Sequence, residues 1–301
     1  MVGRQPSFVH GVCARCVAGG ATVNSLRRAL DPNGRPHWLW VSGGIFHDLS
    51  EAGLADDLAE ISGLLAEPAR FLAFINEAPE AAASNWPLLL PGRPGKALCL
   101  GKNFEAHARE FGAEPPEELV WFAKLPDTLI GPNAEVIIPA WLDSRVDPEA
   151  EVVVLIGRYL HQASEAEAED AVVAYTLGND ITARKQQSLD RDRGWPWLRA
   201  KNLATFGCVG PAWIPKSELP PIETIRLRGR VNDVIRQDAS LADLLWKPAE
   251  ALSEISRWTP LCPGDIVFLG TPAGVAPIHP GDELVVEADG LGRLVNPVQR
   301  G

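Results

Sequence analysis

Residues 147–180 constrain this chain more than any other stretch. The segment opens Asp147-Pro-Glu149-Ala-Glu151 and runs into the apolar Val152-Val-Val-Leu-Ile156; a helical pattern follows, and a second apolar run ends in Asn179-Asp180. Two apolar runs of strand length flanking a helical pattern read as two strands with a helix between them. Side chains at i, i+2 and i+4 of a strand share one face. A strand that starts by Asp147 therefore gathers three carboxylates at its mouth. Like charges that close repel, and more so as they are buried. A hard cation reverses that penalty, and an oxygen-only donor set suits Mg²⁺, Mn²⁺ or Ca²⁺ better than Zn²⁺. Spacing alone favours the plainer reading, a solvated strand end, because Glu-x-Glu is a common pattern.

The rest of the chain narrows the classes. Its 301 residues suffice for one large domain or two. A net charge of −11 argues against a nucleic-acid or anionic-membrane surface as the main role. No apolar run reaches the roughly 18 residues of a membrane span, and no secretory signal follows Met1, so a cytoplasmic protein is expected. Five scattered cysteines do not form a disulfide framework. Cys13-Ala-Arg-Cys16 lacks a second pair to complete a tetrahedral site and reads as incidental. There is no G-x-G-x-x-G, Walker loop, G-x-S-x-G or H-E-x-x-H.

Along the chain, Asp31-Pro-Asn-Gly34 is a turn, and residues 37–49 fit two strands joined at Gly43-Gly44. Leu54, Leu58, Ile61 and Leu65 stand at helical spacing, and a second helix follows Pro68. Residues 79–95 read as a linker with a domain boundary near Pro91. Short strands are expected at 96–100 and 120–124, with helical turns at 103–110 between them. Ser164-Glu-Ala-Glu167 is a capping box for a helix over about 165–173. Residues 175–182 are the next strand, 184–201 a polar loop, and strands alternate with turns again at 206–214 and 224–236. Pro248 opens a helix, Pro-Gly-Asp turns at 263–265 and 280–282 precede strands, and Asp289-Gly290 is a hairpin turn.

Six ordered motifs over residues 96–298 resemble the fumarylacetoacetate hydrolase family. Leu100-Gly-Lys-Asn-Phe-Glu-Ala-His107-Ala-Arg-Glu110 is similar to its Gly-x-Asn-Tyr-x-x-His-x-x-Glu opening, and Phe122-Ala-Lys124 to its Phe-x-Lys strand. Glu149-Ala-Glu151 with Ile156-Gly157 resembles its Glu-x-Glu strand. Asn179-Asp180-Ile-Thr-Ala-Arg184 with Gln187 resembles its Asn-Asp-x-x-Ala-Arg segment. Lys201 to Phe206 with Gly210-Pro211, and Gly270-Thr271-Pro272, resemble its later signatures. Departures fall beside these motifs: Phe104 stands for the usual Tyr, and Lys185 for the Asp after Arg184.

The resemblance implies an α+β, β-rich protein, with a mixed, rolled β-sheet catalytic domain at 91–301 and a small variable N-terminal domain at 1–90, usually a homodimer. It implies Mg²⁺ or Mn²⁺, with Ca²⁺ as the other hard ion, on Glu149, Glu151 and Asp180. Asp147 is not a ligand in the family and is expected behind the ligands or in solvent. The implied activity is hydrolysis of C–C bonds in acylpyruvate or fumarylacetoacetate-type 2,4-dioxo acids through a metal-bound enolate. Decarboxylation of oxaloacetate-like acids, isomerisation of 2-hydroxy-diene-dioates, and mere binding of dicarboxylates are the alternatives. His107, Glu110 and Lys201 are the implied catalytic groups; Lys124, Arg184, Gln187 and Thr271 are the implied substrate contacts. His107 and Glu110 at i and i+3 share a helix face, where a carboxylate raises the imidazole's basicity and fixes its orientation. Residues 102–118, flanked by Gly101, Gly112 and Pro115-Pro116, are expected to close over substrate.

Overall fold

The computed structural model describes residues 23–110 and 116–301. Cys13, Cys16 and the middle of the 102–118 loop lie outside the described residues.

Ser25–Leu30 (β1), Pro36–Ser42 (β2) and Ile45–Asp48 (β3) form an antiparallel meander. The Asp31 carboxylate closes the first turn, accepting from the Asn33 and Arg35 amides at 2.8 Å each. Leu58–Leu65 (α1) begins four residues later than the spacing of Leu54 suggests. Asp57 caps it there, accepting from the Ala59 amide at 2.8 Å. Pro68–Glu77 (α2) follows, and the two helices bury Leu58, Ile61, Leu64, Phe71 and Ile75. Residues 79–95 then run beside β1, where Leu30 N–H donates to the Pro87 carbonyl and Leu89 N–H to that of Arg28.

The central sheet and its flanks come next. In order they are Ala97–Gly101 (β4), Glu105–Glu110 (α3), Val120–Lys124 (β5), Leu129–Ile130 (β6), Val136–Ile138 (β7), Val146–Asp147 (β8), Ala150–Ile156 (β9), Glu165–Ala171 (α4), Val172–Asp180 (β10) and Thr182–Ala183 (β11). Arg184–Asp192 (α5) and Leu198–Lys201 (α6) precede Gly207–Pro215 (β12), Arg226–Val231 (β13) and Val234–Ser240 (β14). Pro248–Trp258 (α7), Ile266–Phe268 (β15), Glu283–Ala288 (β16) and Gly292–Arg300 (β17) complete the chain.

Among the described residues one sheet runs β3-β2-β1-β12-β10-β9-β15-β4-β5, with β6 beside β12. A second runs β14-β13-β16-β17-β7, and β8 pairs β11. This is a mixed α+β, strand-rich fold. β1 docks on β12 with Leu26 opposite Trp213, so the N-terminal meander continues the main sheet. Every residue of β9 and β10 is buried. Burial on both faces explains why β9 reads as a continuous apolar run and not as an alternation. Each such Val or Leu contributes roughly 1.5–3 kcal/mol of transfer free energy.

Two expectations need correction. Residues 184–201 are not a loop: α5 and α6 occupy much of them. The one buried side chain of α5 is Asp190, so no apolar stripe announces the helix. The strand carrying Glu151 does not start by Asp147 but at Ala150, with Glu149 just before it. Pro148 separates it from β8, where Asp147 pairs across to Thr182.

Candidate active site

Strand register assembles the site. β9 and β10 are antiparallel, with Ala150 opposite Asn179 and Glu151 opposite Gly178. The Asp180 amide donates to the Glu149 carbonyl at 2.9 Å, so Asp180 stands across from Glu149 on the face that Glu151 shares. The Glu149 amide is fixed in turn by the Asn179 side-chain oxygen at 2.8 Å. β15 lies antiparallel on the other edge of β9. The loop leaving it brings the Gly270 amide to within 2.7 Å of Glu151 Oε2. β4, parallel to β15, ends at the same place and delivers α3.

Glu149, Glu151 and Asp180 are all buried, and a ligand oxygen of each lies within 4.8 Å of the others. Lys201 Nζ bridges Glu149 Oε2 and Asp180 Oδ2, at 2.5 Å to both. Arg184 bonds Glu149 Oε1 at 2.7 Å and Asp147 Oδ2 at 2.9 Å, and donates to Gln187 at 2.8 Å. Asp147 is thus a buried counter-ion that also pairs with Arg145 at 2.7 Å, neither solvated nor part of the triad. Lys124 stands behind Asp180, bonding the Lys201 and Phe206 carbonyls, with Nζ 2.9 Å from Asp180 Oδ1. That position pairs it with a triad carboxylate and keeps it off the cavity wall.

Electrostatics separate the three acids. Burial pushes the Glu149 carboxyl up, but Lys201 and Arg184 outweigh it and hold the group well below the usual carboxylate range. Burial, then Asp180 and Glu149, push the Glu151 carboxyl well above that range. Burial works against the Lys201 charge, but Asp180 and Glu149 hold its ammonium well above the ordinary lysine range. An oxygen-only donor set under this tension fits a hard divalent cation. Asp180 Oδ1 supports the fit: it is buried and accepts no hydrogen bond, since nearby Lys124 is a charge contact without the directionality. Asp147, Glu149, Glu151 and Asp180 already face Arg145, Lys124, Arg184 and Lys201.

Glu149 and Glu151 open on a cavity of about 220 Å³ lined also by His107, Arg184, Gln187, Lys201 and Thr271. His107 Nδ1 lies 3.2 Å from Glu110 Oε2. Burial raises the Glu110 carboxyl, but the His107 hydrogen bond and the Gly274 amide lower it below its ordinary value. Thr271 donates its hydroxyl to the Ala150 carbonyl at 2.9 Å and accepts from Gln237 Nε2 at 2.7 Å. Gln237 is a buried staple that sequence reasoning missed; its Oε1 also takes the Ala150 amide at 3.0 Å. No local sequence signal marks it; its burial among mostly exposed neighbours on β14 is visible only in the structure.

Gly274 ties the dyad to this frame, since its amide donates to both Glu110 oxygens at 3.2 Å. Its φ is +105°, and an added Cβ would sit 1.9 Å from the Arg236 carbonyl oxygen. Gly274→Ala is expected to push the loop off β14, cost about 1–3 kcal/mol of stability and lower turnover roughly 10-fold through a misplaced Glu110. A melting curve and a kcat measurement check both.

A β-rich scaffold with a buried, oxygen-only acidic cluster beside a His–Glu pair defines the class. The model of the fumarylacetoacetate (FAA) hydrolase C-terminal domain matches residues 96–299, and the chain belongs to the fumarylacetoacetate hydrolase family. It is 37% identical over 210 residues to the Escherichia coli 4-hydroxyphenylacetate degradation bifunctional isomerase/decarboxylase, covering 69% of this chain and 48% of that protein. The 5-carboxymethyl-2-hydroxymuconate delta-isomerase of Mycobacterium smegmatis superposes with a TM-score of 0.74 at 30% identity, over 92% of this chain and 99% of that one. The fumarylpyruvate hydrolase of Pseudomonas aeruginosa, solved with Mn²⁺ and pyruvate, gives 0.65 at 32%, over 68% and 90%. Members of the family are enzymes: hydrolases, isomerases and decarboxylases. No helix among the described residues is long and apolar enough to cross a membrane.

Proposed function

We propose that this chain is a divalent-metal-dependent hydrolase of C–C bonds in acylpyruvate-type 2,4-dioxo acids. One observation carries the reading: Glu149 and Glu151 of the buried triad line the same cavity as His107, whose ring is paired with Glu110. Glu149, Glu151 and Asp180 would hold Mg²⁺ or Mn²⁺. The bound ion supplies an electrophile for the oxo-acid oxygens and steadies the negative charge that develops as the bond breaks. The remaining tasks fall to the chain's own residues. Glu110 accepts a hydrogen bond from the Nδ1–H of His107, which leaves Nε2 as the basic nitrogen. His107 then removes a proton from a water aimed at the acyl carbonyl. Arg184, tied to Asp147 and Gln187, keeps Glu149 ionised and in place. Lys201 remains an ammonium and offers positive charge at the cavity floor.

The second reading, a decarboxylase or isomerase, is favoured by the similarity to the E. coli bifunctional enzyme. Decarboxylation of an oxo acid needs the ion and a placed carboxylate, but no activated water. The dyad tips the balance, and kcat/KM for an acylpyruvate is expected to exceed that for oxaloacetate with either Mg²⁺ or Mn²⁺. Oxaloacetate winning with both metals replaces the hydrolase reading with the decarboxylase one. The family resemblance further supports a cytoplasmic homodimer acting on a small oxo acid; sedimentation of the purified protein tests the assembly.

A further inference from the structure

At the triad, the edge of β9 that faces β15 is unfinished. Along a strand, the N–H and C=O groups of successive residues point to opposite edges. Glu149 turns its amide and carbonyl toward β10, where they meet the Asn179 side chain and the Asp180 amide. Ala150 and Val152 therefore face the β15 side. β15 pairs with β9 as far as Phe268 opposite Val153, and the Leu269 amide still reaches the Val152 carbonyl at 2.9 Å. Gly270 then turns away at φ +94°, and its amide goes to the Glu151 side chain. The Ala150 amide and carbonyl, between the two glutamates, are left with no strand to pair with. Ala150 is buried, where an unpaired peptide group is strongly disfavoured.

Two side chains stand in for the missing strand. Gln237 Oε1 accepts from the Ala150 amide at 3.0 Å, and the Thr271 hydroxyl donates to the Ala150 carbonyl at 2.9 Å. Gln237 Nε2 joins the pair, donating to Thr271 Oγ1 and to the Pro272 carbonyl at 2.7 Å each. The partners force the orientation of this amide, because the Ala150 N–H can only donate and the Pro272 carbonyl can only accept. The Thr271 hydroxyl is ordered in turn: it accepts from Gln237, and its one proton points to Ala150.

The second sheet is shaped to deliver the Gln237 side chain. Gly229 of β13 stands opposite Gln237 of β14, but the next pair is Arg230 with Ile235, so Arg236 is an extra residue. Such a bulge re-aims the side chain beside it. Gln237 is buried, while Arg236 and Asp238 on either side are exposed. Gly229 keeps the path to β9 clear. A Cβ there would stand 2.8 Å from Gln237 Oε1 and 2.9 Å from the Ala150 Cβ.

We propose that Gln237 is a positioning residue for the ion: acting through Ala150 and Thr271, it fixes the spacing of Glu149 and Glu151 at the open edge of β9. This rests on the reading of the triad as an ion site, but not on which bond is broken.

The probe is Mn²⁺ alone, titrated calorimetrically into the chelator-stripped full-length protein, with the EPR spectrum of the bound ion recorded beside it. Gln237→Leu is expected to weaken Mn²⁺ binding about 10-fold and to change the spectrum, since residues that hold metal ligands in place contribute on that scale. Asn296→Leu controls for lost stability. Asn296 is likewise buried, but its amide on β17 donates to the Gly131 and Ala134 carbonyls and not to β9. That variant should also melt lower, yet keep its Mn²⁺ affinity within about 2-fold of the wild type. Thr271→Val removes the hydroxyl and is expected to weaken binding too, whereas Thr271→Ser keeps both the hydroxyl and the affinity. Gln237→Leu combined with Thr271→Val should lose little more than Gln237→Leu alone, because both dismantle one bridge. Wild-type affinity in Gln237→Leu, or an equal loss in Asn296→Leu, overturns the positioning role alone. Where Gln237→Leu does not fold, equal affinities of Thr271→Val and Thr271→Ser overturn it instead. Failure of the wild type to bind Mn²⁺ overturns it together with the ion reading of the triad.

Discussion

His107→Ala is expected to lower kcat on the acylpyruvate substrate by roughly 10²-fold or more, the usual cost of a lost general base. Mg²⁺ affinity should change far less, because His107 is not one of the three clustered carboxylates and its ring is held by Glu110. The separation of these two effects is the informative part. A residue that only props the fold would weaken ion binding, turnover and stability together. Glu110→Gln should follow in the same direction with a smaller loss, since an amide still accepts from the Gly274 amide but orients the imidazole less firmly. Stopped-flow turnover and an ion titration on each variant decide the matter. Unchanged turnover in His107→Ala removes the dyad from the mechanism and with it the argument for hydrolysis over decarboxylation.

The parts of the site legible in the sequence are those whose geometry is local. Glu149 and Glu151 share a face because strands have a period of two residues. Asp180 joins them because β9 and β10 pair antiparallel, a register that the strand–helix–strand pattern around α4 does not announce. His107 and Glu110 meet because helices bring i and i+3 together. What stayed hidden depends on long-range contacts or on polar burial. Asp147 looked like part of the strand, but Pro148 breaks it off and two arginines claim it. α5 escaped because its buried residue is an aspartate, held by Gln186 and Arg199 rather than by apolar packing. Gln237 lies 34 residues before Thr271, and no local pattern links the two.

Substitutions within the triad are expected to split in a way that only an ion-binding cluster explains. Glu151 has the raised carboxyl, repelled by Asp180 and Glu149 in a buried setting. Glu151→Gln removes that repulsion while keeping an oxygen for the Gly270 amide, so the metal-free protein should melt no lower than the wild type. Asp180 is different: Lys201 and Lys124 both lie within 3 Å of it, at 2.5 and 2.9 Å. Asp180→Asn removes the carboxylate charge that both buried ammonium groups share, leaving Lys201 to Glu149 and Lys124 to carbonyls, and losing one partner of a buried pair costs about 3–5 kcal/mol. Its metal-free melting temperature should fall sharply. Yet both variants should lose the same thing, the stabilisation that an ion gives by binding only the folded state. For the wild type at an ion concentration 100 times Kd, that stabilisation is about 2.7 kcal/mol. The measurement is four melting curves, each variant with excess Mg²⁺ and with chelator, beside the wild-type pair; kcat should drop by 10²-fold or more in both variants. If Glu151→Gln keeps the full Mg²⁺-induced rise, the ion does not sit on this carboxylate. The cluster would then be a charge network centred on Lys201, stable by its own pairing.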